Sequence, residues 1–122
     1  MAGNVNADLE AKLRLMLEAT PGQTHDIETV IDTGFSGFLT LPSSLIATLD
    51  LPWLCRQQGQ LADGSIHAFD VFSVTVLWEG GPRLIEVEAA DADPLLGMEM
   101  MRGYELRMNV DEGGLVTISK TR

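Results

Sequence analysis

The sequence predicts one mostly β domain, a small closed barrel or sandwich of short strands with one or two short helices. Three observations carry this. Residues 9–19 alternate apolar and polar side chains. Four pairs of apolar runs are each joined by a turn rich in Gly, Pro or Asp. Only two short stretches, Pro42–Leu49 and Met98–Gly103, read as helical. At 122 residues the chain is long enough for one core and short for two, so residues 1–122 are expected to form a single domain.

The first strand is the least obvious, because its residue types favour helix. Its odd positions are Leu9, Ala11, Leu13, Leu15, Leu17 and Ala19; its even positions are Glu10, Lys12, Arg14, Met16 and Glu18. That is period two with one exception, so strand outranks helix. Pro21-Gly22 turns the chain back into His25–Ile31, a hairpin that delivers Asp32 at its end. Phe38–Leu41 is a short buried strand, and Pro42-Ser43-Ser44 opens a helix through Leu49 with serine available as a cap. A second hairpin runs from Gln57 to Phe72 with Ala62-Asp63-Gly64-Ser65 at its tip; Asp-Gly is a strong hairpin-turn signal. A third joins Val71–Trp78 to Leu84–Ala89 across Glu79-Gly80-Gly81-Pro82. Leu95-Leu96-Gly97 is a short apolar strand, Met98–Gly103 one or two helical turns, and Tyr104–Val110 with Leu115–Ser119 a last hairpin.

Composition narrows the function. Eighteen acids against eight Lys and Arg give a formal charge of -10, the wrong sign for nucleic acid or an anionic membrane surface. No apolar run approaches the roughly 20 residues that span a bilayer, and no secretory signal opens the chain. Cys55 is alone, which suits a reducing, cytoplasmic setting.

The chemistry is concentrated in Ile27–Pro42. An apolar, β-branched run ends in Asp32-Thr33-Gly34, passes Gly37, and resumes as an apolar strand closed by Pro42. A carboxylate at the end of a buried strand costs free energy unless it is hydrogen-bonded or shares a proton. A buried acid on a tight glycine turn is a catalytic candidate.

Taken in order, three features resemble the retropepsin-like (clan AA) aspartic proteases, the single-lobe group that includes retroviral enzymes and small bacterial relatives. They are Val30-Ile31-Asp32-Thr33-Gly34, the hairpin tip at Asp63-Gly64, and Leu95-Leu96-Gly97-Met98 ahead of a helical segment. The resemblance covers about Leu9 to Ser119 and is nearest to the small bacterial members. It implies a closed acid-protease β-barrel, no cofactor, no metal, and an aspartic endopeptidase acting on a peptide or protein substrate. With one Asp-Thr-Gly per chain, it also implies a homodimer in which two Asp32 side chains share a proton.

Carried over by residue, Asp32 is the catalytic acid. Thr33 braces the two loops across the dimer axis, and the Gly34 N–H holds the carboxylate. Phe35 and Ser36 line the substrate, and Ala62, Asp63 and Gly64 cover it as the tip of a flap. Phe35 departs from the alanine of retroviral members and the serine or threonine of pepsin-like ones. The flap lacks the pepsin-like tyrosine, and Asp63 charges its tip. The C-terminal hairpin is longer than a retroviral tail, so the dimer interface is expected to be built differently.

Competing readings are weaker. Ser36 is followed two residues on by Phe38, so Gly-x-Ser-x-Gly fails. Asp91 and Asp93 have no histidine or oxygen-rich loop beside them for a metal. Met98, Met100, Met101 and Met108 sit among leucines as packing. His25 and His67 read as exposed strand residues, and Cys55 and Trp78 as packing. The rival from another class is a catalytically silent dimeric binding module with the same fold.

Overall fold

The alternation of the first long strand decides what faces inward. Ala11, Leu13, Leu15 and Leu17 are all buried, at 0–7% exposure, while Arg14 and Met16 face out. The computed structural model describes residues 1–121. In chain order its elements are β1 (Ala2–Val5), β2 (Ala11–Thr20), β3 (Gln23–Ile31), β4 (Leu39–Leu41) and α1 (Ser43–Leu49). There follow β5 (Trp53–Gln60), β6 (Ile66–Trp78), β7 (Gly81–Ala89), β8 (Leu95–Leu96), β9 (Tyr104–Met108) and β10 (Leu115–Lys120).

The strands form one sheet in the order β5-β6-β7-β4-β8-β3-β2-β1-β10-β9. A further antiparallel pairing of Met16, Leu17 and Glu18 with Leu77, Val76 and Thr75 joins β2 to β6 and closes the middle of the sheet on itself. Barrel closure removes edges that would otherwise invite pairing with other chains. The mostly β, closed barrel of short strands expected from the sequence is therefore observed. Leu39, Leu41, Val76, Val87 and Leu96 fill the interior at 0% exposure, each stabilising by roughly 1.5–3 kcal/mol of gross burial. The buried Thr29 hydroxyl is satisfied by donating to the Leu13 carbonyl at 2.7 Å.

Several elements differ from the expectation. β1 was not legible as a strand; it pairs with β2 on one side and β10 on the other, inside the sheet. Leu9 is not in the first strand: it is 60% exposed at φ 59°, in a turn where the Asn6 side-chain oxygen accepts from the N–H groups of Asp8 and Glu10. β5 begins at Trp53, four residues before the expected Gln57. Pro42, not serine, is the N-cap of α1, with its carbonyl accepting from Leu45 and Ile46 and no side-chain cap bond. Met98–Gly103 forms consecutive turns with bonds three residues apart, as from the Met101 N–H to the Met98 carbonyl, and not an α-helix.

Candidate active site

β3 runs out at Ile31 because its neighbour changes. The Val30 N–H donates to the Pro94 carbonyl and the Asp32 N–H to the Leu96 carbonyl, both at 2.9 Å, in a short parallel pairing with β8. The chain then leaves the sheet as a loop over residues 32–38 and returns as β4, antiparallel to the same β8. Three further backbone bonds fasten this loop to the segment after β8. Gly97 donates to Phe38 at 2.9 Å, Met98 to Phe35 at 2.8 Å and Glu99 to Gly37 at 3.1 Å. The Thr40 hydroxyl accepts from the Leu95 N–H at 2.9 Å, so the crossing is held from both ends.

Two glycines make this crossing possible. A Cβ on Gly97 would overlap the Gly37 carbonyl and lie 2.6 Å from Phe35 Cδ2. A Cβ on Gly37 would lie 2.6 Å from Phe35 Cζ and 2.5 Å from Glu88 Oε2. The Phe35 ring thus rests on both glycines, half-buried and packed against the loop's own floor.

Asp32 sits half-buried at the start of the loop. Its Oδ1 accepts the Gly34 N–H at 2.9 Å, and its backbone carbonyl accepts from Phe35 at 3.2 Å. Among the described residues, Oδ2 has no hydrogen-bond partner inside the chain, nor does the Thr33 hydroxyl. Thr33, Gly34 and Ser36 are exposed on the same turn. One carboxylate oxygen is therefore oriented by the backbone and the other is free for a ligand or a second carboxylate.

Ala62, Asp63 and Gly64 form the exposed tip of the β5–β6 hairpin. The tip closes with the Gly64 N–H on the Leu61 carbonyl at 2.9 Å and Gly64 at φ 87°. Asp63 turns inward along the turn: the Ser65 hydroxyl donates to its carboxylate at 2.6 Å and the Ser65 N–H at 2.9 Å. Those bonds hold its carboxyl below the ordinary value. The charge at the tip is thereby part of the turn. No hydrogen bond joins the tip to the Asp32 loop among the described residues.

The hairpin stem and the barrel flank an open pocket of about 230 Å³. Gly59, Leu61 and His67 line it from the stem, and Thr40, Glu88 and Ala90 from the barrel. Glu88 is the one residue here with no place in the sequence reading. It follows Glu86 and Val87 in an ordinary strand alternation, and only the pairing of Thr40 with Glu88 across β4 and β7 carries it toward the loop. Burial, then repulsion from Glu86, pushes its carboxyl above the usual range. A 430 Å³ groove on the far face is a different matter, since its Lys12, Arg14 and Glu28 pair with one another as a solvated charged surface.

The fold has a counterpart among solved structures. The chain is similar to a retropepsin-like aspartic protease from Rickettsia conorii, with a TM-score of 0.62 over 100% of this chain and 91% of that one. This protein has a retropepsin-like fold. The sequence identity is 14%, so the likeness is one of fold. No protein-family model matches the sequence, and no curated protein does. In the retropepsin-like fold observed here, no group of three or more His, Cys, Asp or Glu among the described residues is arranged to hold a metal. No helix among them is long and apolar enough to cross a membrane.

Proposed function

We propose that the protein is an aspartic endopeptidase acting as a homodimer, each protomer contributing one Asp32. The observation that supports this reading most is the state of that carboxylate. Oδ1 is fixed by the Gly34 N–H, Oδ2 is unpartnered, and the loop carrying both is clamped to β8 and the turn after it.

Two such carboxylates facing each other across a two-fold axis hold one proton between them, because both cannot ionise at close range. The ionised member takes a proton from a water as its oxygen attacks the peptide carbonyl. The protonated member transfers its proton to the carbonyl oxygen, which becomes the second hydroxyl of a tetrahedral diol, so the proton has changed sides of the pair. As the diol collapses, the carboxyl that took the water's proton gives it to the departing amine nitrogen. The other carboxylate takes the proton of one diol hydroxyl, and the C–N bond breaks to leave a free acid and a free amine. No cofactor enters these steps.

In this reading the exposed Thr33 hydroxyl pairs across the axis, and Ala62, Asp63 and Gly64 close over the substrate. Ser36 lies beside the peptide. Phe35 shapes the floor from beneath, through its seat on Gly37 and Gly97. A solitary cysteine and the acidic surface fit a cytoplasmic protein acting on peptides rather than on nucleic acid or a membrane.

The test is cleavage of an unbiased peptide library by the protein and by Asp32→Asn, from mildly acid to neutral pH, with and without a hydroxyl-bearing transition-state mimic. Cleavage that needs Asp32 and stops with the mimic supports the peptidase. Silence from a sample shown to be dimeric favours the binding module, and equal cleavage by both proteins removes Asp32 from the chemistry.

A further inference from the structure

We propose that Glu88 and the pocket it lines are a subsite for a basic side chain, lysine or arginine, of a peptide lying between the hairpin and the Asp32 loop. The proposal rests on the peptidase reading for the path of the peptide, and on the pocket's own chemistry for what it takes.

Place comes first. The Glu88 carboxylate reaches Gly37, so it borders the loop that carries Asp32, while the other walls include Thr40, Ala89 and Ala90 of the barrel as well as Leu61, His67 and Phe69 of the hairpin. A peptide strand running beneath the hairpin passes this opening.

Chemistry comes second. Among the described residues Glu88 joins no ion pair and its side chain makes no hydrogen bond. Arg83, on the same strand, is engaged elsewhere, donating to the Met100 carbonyl at 2.8 Å and lying over the Phe38 ring at 5.5 Å, and His67 is the one basic side chain that lines the pocket. A half-enclosed carboxylate without a partner is costly, and an arriving ammonium or guanidinium removes that cost. The other lining groups suit the stem of such a side chain, with Leu61, Phe69 and Ala90 offering apolar surface to a chain of methylenes. At about 230 Å³ the pocket is large enough for one long side chain and too small for a folded partner. A further acid or an anionic ligand is excluded by Glu88 and by Glu86 on the same strand face.

The experiment uses two peptide pools identical except that lysine and arginine in one are replaced by norleucine and citrulline in the other. Cleavage is measured with the unaltered protein, with Glu88→Gln, and with Glu112→Gln, which removes the same charge from an exposed loop. Binding is measured in parallel to Asp32→Asn and to Asp32→Asn/Glu88→Gln, so that recognition is read without turnover. The expected result is a preference for the basic pool of about tenfold or more in kcat/KM, as for a hydrogen bond to a charged group. Glu88→Gln abolishes the difference between the two pools, and Glu112→Gln retains it. A preference that survives Glu88→Gln, or none in the unaltered protein, overturns the proposal. If nothing is cleaved but the basic pool still binds through Glu88, the subsite stands and the peptidase reading falls. If neither pool is cleaved or bound, both fall.

Discussion

The backbone of Gly97 lies against the carbonyl of Gly37, closer than any side chain at position 97 would allow. This contact joins the end of β8 to the middle of the Asp32 loop, with the Gly97 N–H donating to the Phe38 carbonyl and the Glu99 N–H to the Gly37 carbonyl itself. Because the atom in the way is backbone and not a flexible side chain, the structure cannot relieve an added methyl by changing a rotamer. Gly97→Ala is expected to destabilise the fold by about 2–3 kcal/mol and to displace Asp32. Denaturant unfolding checks the first effect through its midpoint, and peptide cleavage the second. An unchanged midpoint would show that the crossing is looser than described.

Asp32→Asn separates chemistry from scaffold. An asparagine oxygen can accept the Gly34 N–H as Oδ1 does now, so the loop keeps its bond. What it loses is the ability to hold or give a proton. Cleavage is expected to fall by ~10³-fold or more, with a thermal midpoint at least as high as that of the unaltered protein. Loss of folding in this variant would instead make Asp32 a structural turn residue.

Much of the barrel was legible because burial follows local alternation: β2 buries the odd-numbered residues that the sequence singled out, from Ala11 to Leu17. The Asp63-Gly64 tip was legible for the same local reason, a turn chemistry contained in four residues. What escaped depends on partners far along the chain. Ala2-Gly3-Asn4-Val5 has no strand pattern and becomes β1 only by pairing with β2 and β10. The alternation extends through Leu9, yet the Asn6 side chain diverts the backbone before Ala11. At the site, Asp32 announced itself by its neighbours in sequence. Glu88 could not, because its approach to Gly37 comes from the parallel pairing of β4 with β7.

The position of β1 bears on assembly. Its Val5 is 3% exposed, and Ala2, Gly3 and Asn4 pair with Thr117, Val116 and Leu115 of the same chain. Terminal strands used this way are not free to interleave with a partner's. Deleting residues 1–5 is therefore expected to cost the protomer itself about 3 kcal/mol or more, from lost burial and lost ladder bonds. Unfolding followed at several protein concentrations distinguishes the cases. A loss of stability independent of concentration fits β1 as a protomer strand, whereas a loss confined to the dimer equilibrium would mean that the ends exchange between chains.

Glu88 predicts a pH dependence of definite sign. Its folded carboxyl titrates above the ordinary value of 4.5, because burial and Glu86 both penalise the charged form. Below 4.5 the group is protonated whether the chain is folded or not, and it contributes nothing. As pH rises through 4.5 the unfolded chain ionises first, so stability is lost up to the raised folded value and stays lower beyond it. Glu88→Gln removes this term. Its thermal midpoint should exceed that of the unaltered protein at neutral pH, and the difference should close on acidification below the ordinary carboxylate range. A midpoint at neutral pH that falls on substitution would mean the ionised carboxylate is satisfied within the chain, leaving no unmet charge for a basic side chain to answer. A rise in stability together with loss of the basic preference would show that this acid is held against the interest of the fold, for the ligand.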